Sequence, residues 1–242
     1  MRYFLLALPR RFFVLAMLGG SALITAMSLV YFDFGTLPPF AIEKFPLRFE
    51  SLWLVSLRIH VASALVALPL CLLLTTRTLQ RRPAWHRVLG RLAGIITLAG
   101  VVPTGLVLAF DAKGGAFVTA GFLVSAAIVA WGVVHGVASA RRGELVRHRR
   151  AMRHVVAQMS VAVTSRVLIV ALDVAGIDPE VSYVLALWGP VLASALAAEL
   201  ASRPSTLRFT PAHPFERIRR EISPSALLVR ARAVRPVART RR

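Results

Sequence analysis

The sequence predicts an all-α, polytopic membrane protein: a bundle of six transmembrane helices with both termini on the cytoplasmic side. Three observations carry that prediction. Apolar stretches of about 20 residues, enough to cross a bilayer core, recur along the chain. Of its 242 residues 57% are hydrophobic, and the mean hydropathy of +0.67 is too high for an ordinary soluble domain. The charge is also sorted. With the spans given below, 24 of the 30 Lys and Arg residues fall on one side, 3 on the other and 3 within helices. This is the positive-inside bias, and it places the chain as a multi-pass membrane protein with its basic segments on the cytoplasmic side. It also accounts for the net charge of +19, which in a soluble protein would point to nucleic acid. No nucleic-acid partner is expected. The lone cysteine, Cys71, excludes an intramolecular disulfide and every multi-cysteine metal motif.

The first span, about 12–32, follows a basic start and resembles a secretory signal. It is too long for one and ends in Tyr31 and Phe32, where a cleavage site would have small residues. The expectation is an uncleaved first helix. Residues 33–51 hold three prolines and form an outer loop whose aromatics could rest on the membrane surface. The second span, about 52–75, returns inward to the basic loop RTLQRRPAWHR. The third, about 88–110, carries Gly90, Gly94, Gly100 and Gly105 for close packing, and Pro103 predicts a kink or local unwinding.

A short DAKGG turn leads to the fourth span, about 115–137. There Gly121, Ser125, Gly132 and Gly136 share one face with Val129, a small-residue packing seam. The loop ARRGELVRHRR precedes the fifth span, about 154–174, and the GIDPE turn precedes the sixth, about 181–200, which a Trp188-Gly189-Pro190 break should bend. These spans make one transmembrane domain over 1–200. The remainder, 201–242, holds eleven arginines and five prolines. It reads as a disordered basic extension drawn to anionic phospholipid at the cytoplasmic face.

Two groups of polar residues lie where lipid should be. Arg166 sits in the middle of the fifth span, and an intramembrane arginine is a site by default. Asp173, two turns later, lies on the same face and could pair with it or share its partner. On the second span Ser56, His60 and Ser63 share a face, whereas Arg58 points away and can snorkel. His60 and Arg166 each lie eight residues, roughly 12 Å, from the outer ends of their spans, so the two can be level. The Pro103-Thr104-Gly105 break is nearby. The layer can be a structural polar knot or a site for an anionic small molecule, a lipid, a quinone or a proton. At the inner end His86, His135, His148 and His154 fall at one depth, as ligands of a haem or metal would, or as ordinary interfacial residues. No Walker loop, no GxGxxG after a strand and no GxSxG points to a reaction.

A histidine in the second helix, HRVLGR opening the third, HRRAM opening the fifth and an arginine late in that helix resemble the bacterial membrane proteins grouped as domain of unknown function 2306. The resemblance covers roughly residues 55–175. It falls on His60, His86, Arg87, Gly90, His148, Arg149, Met152 and Arg166; where the family usually has tryptophan before the methionine, this chain has Ala151. It implies a membrane bundle and assigns no activity. A looser similarity is to cytochrome b561-type bundles, whose histidines on alternate helices hold two haems. Residues 116–125 contain no histidine to partner His60, so at most one b-type haem is implied, held by His86 with His148 or His154.

Reporters fused after residues 40, 80, 113, 145, 178 and 242 should alternate outside and inside, beginning outside. A cytoplasmic signal at 113 would end the six-span topology.

Overall fold

The computed structural model describes residues 2–33, 35, 39–42 and 44–203. The basic extension expected beyond residue 200 therefore lies, from 204 on, outside the described residues. Every regular element described is helical, and six helices are long and apolar enough to cross a membrane. We number them α1 (Arg2–Ser28), α2 (Glu50–Leu74), α3 (Pro83–Phe110), α4 (Gly115–Arg141), α5 (Leu145–Val174) and α6 (Pro179–Leu200). Most run past the apolar spans that announce them. Helix α5 starts nine residues before the expected 154, and the basic loop ahead of it shrinks to 142–144. Backbone hydrogen bonds do not require apolar side chains, so a helix continues into the headgroup zone where hydropathy has already fallen.

The ends are closed by local chemistry. Helices α4 and α5 each stop at a glycine in the left-handed region, Gly143 (φ +77°) and Gly176 (φ +71°). The next N–H then reaches back across the last turn, Glu144 to Ser139 O at 2.9 Å and Ile177 to Leu172 O at 3.1 Å. Helix α6 starts at Pro179, with the Asp178 carboxylate accepting from the N–H groups of Glu180 (2.9 Å) and Val181 (3.1 Å).

Neighbours in sequence are neighbours in space, and α5 sits centrally, touching α1, α2, α4 and α6. The main core joins four helices: Ala67, Leu68, Cys71 and Leu72 of α2, Ala93 of α3, Val129 and Val133 of α4, and Val155, Met159 and Val163 of α5. A second cluster joins Val118, Val161, Leu187 and Val191 across α4, α5 and α6. The glycine seam of α4 is what lets these helices close. A Cβ at Gly132 or Gly136 would run into Val155 or Met152 of α5, and one at Gly121 into Leu187 of α6. Ala151 is 2% exposed against the same glycines, a place with no room for an indole unless α4 moves away.

Three local features stand out. Helix α6 stays helical through Trp188-Gly189-Pro190, with Pro190 buried against its neighbours. Phe45 of the first loop turns inward and packs edge-on against Trp53 (centroids 6.2 Å apart) in a cluster with Ala41 and Leu57, while Phe49 stays exposed. Lys44 of that loop donates to the Asp111 carbonyl between α3 and α4, and burial pulls its ammonium below the usual lysine range. The third is Gln158, a residue the sequence does not single out. It is 3% exposed at the centre of α5, accepts from Ser125 Oγ of α4 (3.0 Å) and donates to Val191 O and Ser194 Oγ of α6 (both 3.0 Å).

Gln158→Leu should cost about 1–3 kcal/mol, because it strands two hydroxyls among three helices. Thermal unfolding in detergent should show a clear drop, larger than for Ser125→Ala. A Gln158→Leu protein that melts with wild type would show the hub to be dispensable.

Candidate functional site

The backbone of α3 opens where its proline predicts. Residues Thr97–Val101 form a π-helical turn in which the Val102 N–H reaches Thr97 O, five residues back. Pro103 then supplies no N–H of its own, so carbonyls of this stretch lose their helical partners. At the end of this turn His60 of α2 places Nδ1 3.0 Å from Val101 O. A carbonyl only accepts, so Nδ1 carries the proton. The Thr104 hydroxyl, buried, donates to Gly100 O, and its oxygen lies 3.2 Å from the same Nδ1. The imidazole is thus fixed with Nε2 as the nitrogen bearing the lone pair. Among the described residues Nε2 has no hydrogen-bond partner.

Glycine makes the approach of α2 to α3 possible. A Cβ at Gly100 would collide with the Ser63 side chain, and one at Gly105 would come within 3.1 Å of His60 Cε1. Ser56, one turn before His60, is buried. Of the residues singled out on these helices, the structure therefore brings His60, Ser63 and Thr104 to one place, with Ser56 on the turn beyond. Arg58 points away as expected and donates from Nε to Tyr31 O at 3.1 Å.

Arg166 behaves differently. Side chains on a helix lean toward its N-terminus, and in α5 that direction leads away from the nearer end of the bundle. The guanidinium follows it, donating from Nη1 to Ala162 O at 2.7 Å, one turn deeper than its own Cα. It remains exposed on the helix surface. Among the described residues no ion pair joins it to Asp173, which is also exposed. Tyr183 of α6, missed in the sequence, lies beside the α3–α4 turn at Gly114. Its one legible signal is a polar aromatic one turn into a span.

The four histidines at the arginine-rich end do not form one cluster. His148 Nδ1 lies 2.9 Å from Gly136 O, which again assigns the proton to Nδ1 and leaves Nε2 its lone pair. His86 Nδ1 is buried without a hydrogen-bond partner among the described residues. His154 turns instead to Glu199 (Nε2–Oε2 3.5 Å), and His135 stacks on Trp131 with centroids 4.9 Å apart. Among the described residues no group of three or more His, Cys, Asp or Glu side chains is placed to hold a metal ion.

A membrane-embedded helical bundle with a polar layer at a broken helix is the class that fold and site define. Within that class, the family model for domain of unknown function 2306, described as a predicted membrane protein, matches residues 57–202. That is more than half of the chain and runs from α2 through α6. The chain belongs to this family; α1 precedes the matched region. Searches of curated proteins and of solved structures returned no match.

Proposed function

We propose that this chain is a multi-pass protein of a bacterial inner membrane, both termini cytoplasmic, that binds an anionic species in the polar layer of His60 and Arg166. A carboxylate, a quinone, a lipid headgroup or a transferred proton fits the chemistry. The observation that carries the reading is the posture of Arg166. It is a permanent cation held deeper than its backbone, without a carboxylate partner among the described residues. An uncompensated guanidinium at that depth costs several kcal/mol, and a bound anion removes that cost. The fixed His60 ring, with Nε2 free to accept a proton or a hydrogen bond, supplies the second polar contact. Ser56 and Ser63 belong to the same layer. Asp173 belongs to it only as a charge on the same face.

The test compares wild type with Arg166→Met, His60→Ala and Asp173→Leu, each purified in detergent. Native mass spectrometry reads co-purifying species and thermal unfolding reads folding. Losing a charged hydrogen bond should weaken retention of the anion about tenfold or more in Arg166→Met, with less effect in His60→Ala and none in Asp173→Leu. Retention of every co-purifying species by a folded Arg166→Met protein would remove the site.

A second reading rests on its own observation, the posture of His148 at the arginine-rich end, with His86 and its unpartnered Nδ1 at the same end. An imidazole whose Nδ1–H is held by a carbonyl, as in His148, is oriented as an axial ligand through Nε2. These two residues fit a single b-type haem, which would make the protein a membrane redox carrier. His154 and His135, turned to Glu199 and Trp131, fit it less well. The visible spectrum decides: a Soret band lost in His86→Ala favours this reading, and a protein colourless after haem reconstitution excludes it.

A further inference from the structure

The arginines at one end of the bundle are not equivalent: several are held by carboxylates or carbonyls, whereas Arg77, Arg81 and Arg141, like three on or beside α3, make no side-chain hydrogen bond or ion pair among the described residues. Glu144, between α4 and α5, binds Arg142 (3.0 Å) and Arg147 (3.1 Å), and those hydrogen bonds hold its carboxyl below the usual range. Glu199 of α6 holds Arg150 at 2.8 Å. Arg153 is spent on Ala201 O (2.8 Å) and Ser202 Oγ (3.3 Å), and Arg149 on Leu145 O (3.2 Å). The carboxylates described at this end are therefore both engaged on the α5–α6 side. On α3 the situation is the reverse. Arg82, just before the helix, and Arg87 and Arg91, one turn apart within it, are exposed and make no side-chain hydrogen bond or ion pair among the described residues.

The surroundings of these three cations are those of a lipid. Trp85, Val88, Leu92 and Ile95 are 58%, 56%, 45% and 65% exposed. At 100° per residue they form one arc of α3, and Arg87 and Arg91 border it. The opposite face carries His86, Ala93, Thr97, Gly100 and Thr104 and turns into the bundle. Because helix side chains lean toward the N-terminus, Arg87 and Arg91 reach back toward the surface beside Arg82. Trp85 sits at the same level, where indoles favour the interface. The positive end of the α3 dipole adds to the same field.

We propose that the first three turns of α3 form a binding site for an anionic phospholipid. Arg82, Arg87 and Arg91 hold the headgroup phosphate, and an acyl chain runs along Val88, Leu92 and Ile95. The site is independent of the His60 layer and of any haem at His86. Its basis is charge complementarity: three cations without carboxylates, bordering an apolar stripe aligned with the membrane normal.

The experiment uses the full chain in detergent, titrated with phosphatidylglycerol or phosphatidylcholine and read by native mass spectrometry. Phosphatidylglycerol should bind wild type and be lost about tenfold or more in the triple variant Arg82→Gln, Arg87→Gln, Arg91→Gln. The double variant Arg142→Gln, Arg147→Gln should bind as wild type does. Arg91→Gln alone, expected to fold normally, should show an intermediate loss, and millimolar inorganic phosphate should not displace the lipid. Equal losses in the triple and the double would show only diffuse attraction to a basic surface and overturn the site. So would unchanged binding in Arg91→Gln and the triple, equal binding of phosphatidylcholine, or displacement by free phosphate.

Discussion

Backbone polar groups placed in hydrocarbon must find their partners inside the protein, and that constraint organises this bundle. Where α3 departs from regular hydrogen bonding, the carbonyl of Val101 is met by His60 from the adjacent helix. Where α5 carries an amide at mid-span, Gln158 spends its oxygen and nitrogen on three partners from α4 and α6. The two cases differ in what remains. Gln158 is saturated by its partners and buried, so it serves cohesion. His60 uses one nitrogen for its tether and keeps the other, so it is fixed in place without being consumed. The same distinction separates His148 from His154, whose Nε2 faces Glu199.

Close packing gives these polar contacts their geometry. The bare surfaces of Gly132 and Gly136 bring α4 onto α5, and Gly100 and Gly105 bring α3 onto α2. At the second pair, loss of a side chain on α3 and loss of its regular hydrogen bonding coincide. An imidazole of ordinary reach can therefore touch a backbone carbonyl at 3.0 Å. The π-helical turn and the glycines beside it thus lie at one contact between α3 and α2.

Much of this architecture is legible in the sequence because apolar length and charge sorting are long-range signals that average over many residues. The six helices, the seam of α4 and the opening near Pro103 follow from them. What the sequence hides are contacts set by a rotation of a few tens of degrees or by a single rotamer. Arg166 and Asp173 share a helix face, yet no ion pair joins them, because the guanidinium leans down its helix while Asp173 lies above. Four histidines share a depth, yet their azimuths send His135 onto Trp131 and His154 to Glu199. Gln158 escaped notice because one neutral amide barely alters hydropathy, although its burial gives it more partners than any charged residue of the span.

Helix direction explains why two kinds of intramembrane arginine arise in one chain. Helices α3 and α5 both start at the arginine-rich end, and on both the side chains lean toward that start. Near the beginning of α3 that lean directs the exposed Arg87 and Arg91 toward the helix start. Near the end of α5 the same lean carries Arg166 inward, to Ala162 O. A cation placed late in a helix cannot reach the nearer end by its preferred rotamers, whereas one placed early reaches it at little cost. Position along the helix thus separates Arg87 and Arg91 from Arg166, which turns back to Ala162 O.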